Sequence, residues 1–339
     1  MRILYVGDKQ PGFWIANVSG SEKLLWPVWP QDQLCGDLTN LLRVSPDGSL
    51  ILYSVWCEGP GVDLDMVKRN SIWRMNPDGS DKRQLVEALD DWYPTDAIWS
   101  PDGRQIAYLA ASQDPVSLMP VARELWVMNA DGSEPRRVLS GDKLLEINMG
   151  APAPFFRWMG NGYIYFATES LYAVNPVDGS LYRLMDNIDA IDLRYNLSPD
   201  GEKAWPLPDV PLASLSLAGF QIVDLPVYHS AVWSQDSSRL AYVASDASGT
   251  WLRDTASGKQ RQLLPYTPGE DVQLGAFSPD NRYLAYQTDA GIHVFDLERE
   301  PLESMLALAD PHRDGMGPSL RFLFWIPVHE VNSLQSQGD

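Results

Sequence analysis

Trp99-Ser100-Pro101-Asp102-Gly103-Arg104-Gln105-Ile106-Ala107-Tyr108, followed by Leu125-Trp126-Val127-Met128-Asn129-Ala130-Asp131-Gly132-Ser133, is the stretch that decides the fold. Its first half reads as two short strands joined by a tight turn. Pro101 fixes φ at one corner, Asp102 bonds to backbone amides, and Gly103 accepts positive φ. Its second half places Asn129 three residues after an aromatic, then turns again through Asp-Gly-Ser.

Both halves recur along the chain. The first turn returns as Val44-Ser45-Pro46-Asp47-Gly48 and Leu197-Ser198-Pro199-Asp200-Gly201. Looser copies stand at Trp158–Gly162, Trp233–Ser237 and Phe277–Asn281, with a remnant at Trp325-Ile326-Pro327. The second phrase occurs seven times, at Trp14…Asn17, Trp73…Asn76, Trp126…Asn129, Tyr172…Asn175, Gln221…Asp224, Trp251…Asp254 and His293…Asp296. A third ladder is an aromatic in the strand after the first turn: Tyr5, Tyr53, Tyr108, Tyr165, Trp205, Tyr242 and Tyr286. Repetition at this spacing marks a radially or linearly repeated architecture.

One repeat reads as four antiparallel strands. Such a sheet, apolar on both faces, is buried only by packing neighbours around an axis, which makes an all-β propeller. Residues 38–86, 97–139, 155–185, 193–225, 231–264 and 274–307 give six whole blades. The strands Ile3–Val6, Phe13–Asn17 and Lys23–Trp26 lack a first strand, which Leu320–Trp325 supplies. The expectation is a seven-bladed β-propeller over 1–327, with a closing blade of 1–26 plus 319–327 and a polar tail over 328–339. Closure removes the free sheet edges that invite aggregation. No long segment keeps a helical period, although Asp114–Glu124 has room for a helical turn.

The Trp99–Tyr108 and Leu125–Ser133 phrases resemble the repeats of TolB-like β-propellers, relatives of WD-repeat propellers. The resemblance covers nearly the whole chain and weakens in blades three and four. It implies the fold, not the job, because these repeat residues are structural. TolB carries an α/β domain before its propeller, and no such domain is visible here, so the Tol role is not implied. Some propellers of the wider group are oligogalacturonate lyases with several histidines around a metal. The scattered His229, His293, His312 and His329 do not reproduce that cluster.

Composition narrows the function classes. A formal net charge of -19 on 339 residues opposes binding to phosphate backbones and anionic membranes, and fits a partner with a basic surface. The 45% hydrophobic content and thirteen Trp suit a folded core. Cys35 and Cys57 alone make no disulfide framework or zinc spacing, and a bond between them is not expected. The opening Met1–Asp8 is too short an apolar run for a signal peptide, which favours the cytoplasm. No Gly-x-Ser-x-Gly elbow and no cofactor motif occur, so neither an α/β-hydrolase domain nor a cofactor is expected.

Alternating strands put the tight turns on one face and the longer loops and inter-blade links on the other. Three segments stand out there: Pro27–Thr39 with Trp29, Ser54–Asn70 with Trp56, Asp63 and Asp65, and Glu87–Asp96 with Asp90, Asp91, Trp92 and Tyr93. Aromatic anchors among acids are what protein interfaces favour, so these eight residues are the candidate partner-binding set. Asp63, Asp65, Asp90 and Asp91 also offer oxygens to calcium, but in no complete loop motif. The reading is a non-catalytic interaction or scaffold module. The alternative is an enzyme or sensor holding a carbohydrate or small metabolite in the central channel. The ladder tryptophans are assigned to packing, since equivalent sites in every repeat cannot form one pocket.

Overall fold

The computed structural model describes residues 2–7, 12–17, 22–27, 35–36, 42–57, 69–87, 92–113, 120–146, 155–168, 170–186, 197–204, 219–223, 227–244, 246–309 and 320–326. They build an all-β propeller of four-stranded antiparallel sheets. Blade two runs Tyr93–Trp99, Gln105–Gln113, Pro120–Asn129 and Arg136–Leu139. Blade three runs Phe155–Trp158, Ile164–Ala167, Ser170–Val174 and Leu181–Asp186. Blade five runs Val227–Trp233, Arg239–Ala244, Thr250–Asp254 and Gln260–Leu264. Blade six runs Gln273–Phe277, Tyr283–Thr288, Gly291–Asp296 and Ser304–Ala309. In the closing blade Leu320–Ile326 lies antiparallel to Arg2–Gly7, which continues to Gly12–Asn17 and Glu22–Pro27.

Blade one adds a strand. Leu42–Val44 and Cys35–Gly36 both pair with Ile51–Cys57, followed by Arg69–Met75 and Arg83–Val86. Its inner strand is therefore in two pieces that share one partner. First strands of neighbouring blades touch: Tyr93–Trp99 meets Phe155–Trp158, and Gln273–Phe277 meets both Val227–Trp233 and Leu320–Ile326. They form the inner wall.

The repeat ladders become cross-strand pairs. Tyr5 stands opposite Trp14, Tyr53 opposite Trp73, Tyr108 opposite Trp126, Tyr242 opposite Trp251 and Tyr286 opposite His293. Tyr108 and Trp126 stack with centroids 6.4 Å apart, and Tyr286 and His293 at 4.8 Å. Directly opposed aromatics are a main stabilising unit of a sheet. His293 thus fills the structural place of Trp.

Three sequence expectations need correction. In blade three the partner of Tyr172 is Phe166, not Tyr165. The turn there is one residue shorter: Met159 N–H reaches Tyr163 O, whereas Ser100 N–H reaches Gln105 O. That shift turns Tyr165 to the opposite face, into the seam with blade four. Second, Pro120–Glu124 is strand rather than a helical turn, because the second and third strands of blade two extend past the rest of the repeat. The helix present among the described residues is Gly141–Glu146, whose Leu144 is buried in the blade-two seam. Third, in the blade-four stretch Lys203–Ala204 pairs parallel with Gln221–Ile222, with Leu197 bridging Ala204 antiparallel. A parallel pair requires a crossover rather than a hairpin, and the long run between residues 204 and 221 has the length for one.

The core lies between blades. Leu52, Ile72, Ala97, Ile106 and Tyr108 fill the seam of blades one and two, and Leu109, Val127, Ile164, Phe166 and Val174 that of two and three. Ala241, Leu284, Phe295 and Phe277 fill the seam of five and six, and Ile3, Tyr5, Ile292 and Trp325 close the ring against blade six. Each fully buried aliphatic or aromatic chain is worth about 1.5–3 kcal/mol. Two indoles stitch inner strands directly, Trp99 Nε1 donating to Arg43 O at 3.2 Å and Trp325 Nε1 to Ala276 O at 2.8 Å. On the outer strands, Arg136 donates to Pro176 O, and the equivalent Arg261 to Leu297 O at 3.2 Å. These two basic residues after the second turn each tie an outer strand to the next blade.

Candidate interaction face

The two ends of the propeller differ in kind. At one end the turns are saturated with hydrogen bonds. Ser100 Oγ donates to Asp102 Oδ1 at 2.6 Å and accepts from Gln105 N–H at 2.9 Å. The same pair of bonds recurs at Ser45 and Ser234, with distances of 2.6–2.9 Å. Gly48 and Gly103 take φ of 74° and 70° there, while Ser237 and Asn281 bear φ of 58° and 57° where glycine is missing. Adjacent turns are also tied together: Gly160 N–H to Pro199 O at 2.8 Å, Asp200 N–H to Ser237 Oγ at 3.0 Å, and Gln235 N–H to Asn281 Oδ1 at 3.1 Å. In the outer turns Asn76 Nδ2 reaches Ser80 Oγ and Asn129 Nδ2 reaches Ser133 Oγ, each at 2.9 Å. These two Asn side chains tie their turns through the turn serines.

The carboxylates of these turns are held below the usual range. For Asp102 the Ser100 hydroxyl is the chief cause. For Asp47, Asp200 and Asp236 burial pushes the pKa up, but hydrogen bonds from the turn residues, and from Lys203 at Asp200, outweigh it. A face built this way is a frame with few groups left for a ligand.

The opposite end carries the second-to-third loops and the inter-blade links. Trp92 and Tyr93 are half-buried: Trp92 packs on the blade-one/blade-two seam and Tyr93 on the blade-two/blade-three seam. Burial raises the Tyr93 phenol. Trp56 lies near the end of Ile51–Cys57, opposite Gly36. Trp29, Asp63, Asp65, Asp90 and Asp91 lie outside the described residues, and with them the calcium-oxygen pairs. No cluster of metal-ligating side chains occurs among the described residues.

The ladder aromatics have their polar atoms engaged. Trp73 Nε1 donates to Ser71 Oγ at 2.9 Å, Trp126 Nε1 to Glu124 Oε2 at 2.8 Å, and Trp251 Nε1 to Ser248 Oγ at 2.9 Å. His293 Nε2 meets Thr288 Oγ1 at 3.0 Å, and burial lowers its pKa against the opposing pull of Glu270. Burial, helped by Glu124, pushes the Tyr108 phenol up to about 12. Glu124 also accepts from Arg137 Nη1 at 2.8 Å, so one carboxylate holds two strands at the loop end of blade two.

By the repeat bounds His229 precedes blade five, on an inter-blade link; it lies instead within Val227–Trp233, the inner strand of blade five. His312 and His329 lie outside the described residues. Sequence reading missed Arg43 and Arg157. Each stands two residues before its turn on an inner strand, and each is exposed. Arg43 Nη1 donates to Leu42 O at 2.9 Å. The legible signal was a charge at the same offset in two otherwise apolar strands.

No protein-family model matches the chain, and no curated protein sequence matches it. Solved propellers are similar in fold. TolB from Acinetobacter baumannii aligns at 15% identity and a TM-score of 0.40, covering 88% of this chain and 61% of that one. This chain thus spans less than two thirds of that TolB. An oligogalacturonate lyase in complex with manganese aligns at 12% identity and 0.42, covering 86% and 73%. A putative TolB from Agrobacterium tumefaciens aligns at 12% identity and 0.38, covering 96% and 98%. These are likenesses of fold alone. No helix among the described residues is long and apolar enough to cross a membrane.

Proposed function

We propose that the chain is a non-catalytic interaction module, a single seven-bladed propeller over residues 1–327 that captures a protein partner with a basic surface. The observation carrying this reading is the register of blade one. Cys35 opposite Cys57 and Gly36 opposite Trp56 bring the ends of two acidic, aromatic segments to one edge of one sheet. Trp92, in the third segment, packs on the seam between this blade and blade two. Trp29, Trp56 and the carboxylates Asp63, Asp65, Asp90 and Asp91 supply anchors and charge, while Trp92 and Tyr93 hold the third segment to the scaffold. The saturated opposite face serves as the frame. A cytoplasmic setting accords with this reading.

The test compares co-purification of a partner by the wild type, by Asp90→Lys/Asp91→Lys, and by Asp131→Lys on the turn face. Capture lost only in the first variant, and weakened by salt as exposed charges require, supports the proposal. Capture unchanged in the rim variant refutes it. A second reading, a small anionic metabolite in the channel, is favoured by Arg43 and Arg157 on inner strands. A thermal shift with carboxylated sugars that disappears in Arg43→Ala would favour it instead.

A further inference from the structure

The chain has two cysteines, and the fold places them as direct partners across two antiparallel strands. We propose that Cys35 and Cys57 form a reversible disulfide that clasps the roots of the two rim segments. Directly opposed residues share a face of the sheet. Their Cα atoms stand about 4.5–5.5 Å apart, depending on which type of ladder pair they occupy. A disulfide needs about 4.4–6.8 Å. Nothing in the sequence spacing implied this; the bond becomes geometrically available because Cys35–Gly36 adds a second piece to the inner edge of blade one.

The position gives the bond a consequence. Cys35 ends the link that carries Trp29, and Cys57 begins the loop that carries Asp63 and Asp65. Joining them ties both segments to the blade-one sheet and encloses Leu42–Val44 and the Ser45 turn within a covalent ring. Opposed Cβ atoms in a sheet are about 4.5–5.5 Å apart, wider than the roughly 3.8 Å of a relaxed disulfide. Where closure has to draw the strands together the bond is strained, and strained disulfides are the reducible, regulatory ones.

The oxidant is a low-molecular-weight disulfide such as glutathione disulfide. One cysteine thiolate attacks a sulfur of that disulfide, releases one glutathione thiolate and forms a mixed disulfide. The second cysteine thiolate then attacks the protein sulfur of that bond and releases the second glutathione. The protein loses two electrons and two protons, and the reagent gains them as two thiols.

The experiment uses the full chain, equilibrated with excess glutathione disulfide or with dithiothreitol, acid-quenched, alkylated and digested with trypsin. Cleavage after Lys23, Arg43 and Lys68 separates peptides 24–43 and 44–68. The oxidised sample should yield these two linked, with no alkylated thiol, and dithiothreitol should release them. Cys35→Ser should leave Cys57 carrying glutathione alone. Two separately glutathionylated or alkylated peptides, or a link only between chains, would overturn the proposal. The oxidised wild type should also melt roughly 4 °C higher than the reduced protein, from the closed-loop entropy spread over a chain of this size. Equal midpoints would show that the bond clasps nothing. Any effect of redox state on partner capture rests on the interaction reading above, whereas the peptide and melting measurements stand without it.

Discussion

Ser100→Ala set against Ser80→Ala isolates what burial does to one hydrogen-bond motif. Both hydroxyls donate to an aspartate two residues away, Ser100 to the following Asp102 at 2.6 Å and Ser80 to the preceding Asp78 at 2.5 Å. Ser100 is 3% exposed and its oxygen accepts Gln105 N–H, the first rung of the second strand. Alanine leaves that amide without its side-chain acceptor in a place water reaches poorly, at a cost of about 2 kcal/mol. With the typical unfolding entropy per residue, the loss lowers the midpoint by about 3 °C in a chain of this length. Ser80 lies in an exposed turn, where water replaces the lost bonds, so its cost stays below about 0.5 kcal/mol. Urea unfolding followed by tryptophan fluorescence, alongside calorimetry, measures both variants. Ser278→Ala, at 0% exposure in another blade, should repeat the Ser100 loss and add to it in the double variant. Equal shifts for Ser100→Ala and Ser80→Ala would refute the claim that buried turn serines hold the blades.

The turn aspartates predict acid lability. Their folded pKa values lie below the unfolded value near 3.9, so their stabilisation is complete above that pH and lost as pH falls through the folded values; unfolding curves should steepen below about pH 4, and less so in Asp102→Asn. His293 is held neutral by burial, so stability should decline as pH falls below about 6.5; His293→Phe should remove that slope while costing about 1 kcal/mol at pH 7.5 through the lost Thr288 contact. Trp325→Ala should cost about 3–5 kcal/mol and promote concentration-dependent association on gel filtration, because loosening Leu320–Ile326 frees the edge of Arg2–Gly7. Trp92→Ala should lower the melting midpoint, unlike charge reversal at Asp90 and Asp91, because its ring packs on a seam.

Much of the fold was legible because its signals are short-range. Ser100 bonds to residues two and five positions away, so its turn is written within a single phrase. The closing strand was legible for a different reason: three opening strands lacked one partner, and one unassigned strand remained. Reading by analogy failed where a length changed. A turn one residue shorter moved the blade-three aromatic from Tyr165 to Phe166, and Lys203–Ala204 pairs parallel with Gln221–Ile222 where the repeat predicts antiparallel strands. Arg43 and Arg157 went unread because an apolar strand with one charge looks like an imperfect strand until its neighbours converge on an axis. Trp92 and Tyr93 read as partner anchors in sequence, and only the fold shows that each is half-buried against a seam built from residues of two blades.

The amino-acid order by itself determined the repeating turns, the aromatic ladders and the pairing of the chain's two ends, because each depends on backbone propensities, short hydrogen bonds or counting strands. Tertiary structure alone decided which inner strands meet, which rings fill each seam, and that Cys35 faces Cys57. Those contacts join residues far apart along the chain, and their register is set by the packing of whole sheets, which no local pattern encodes.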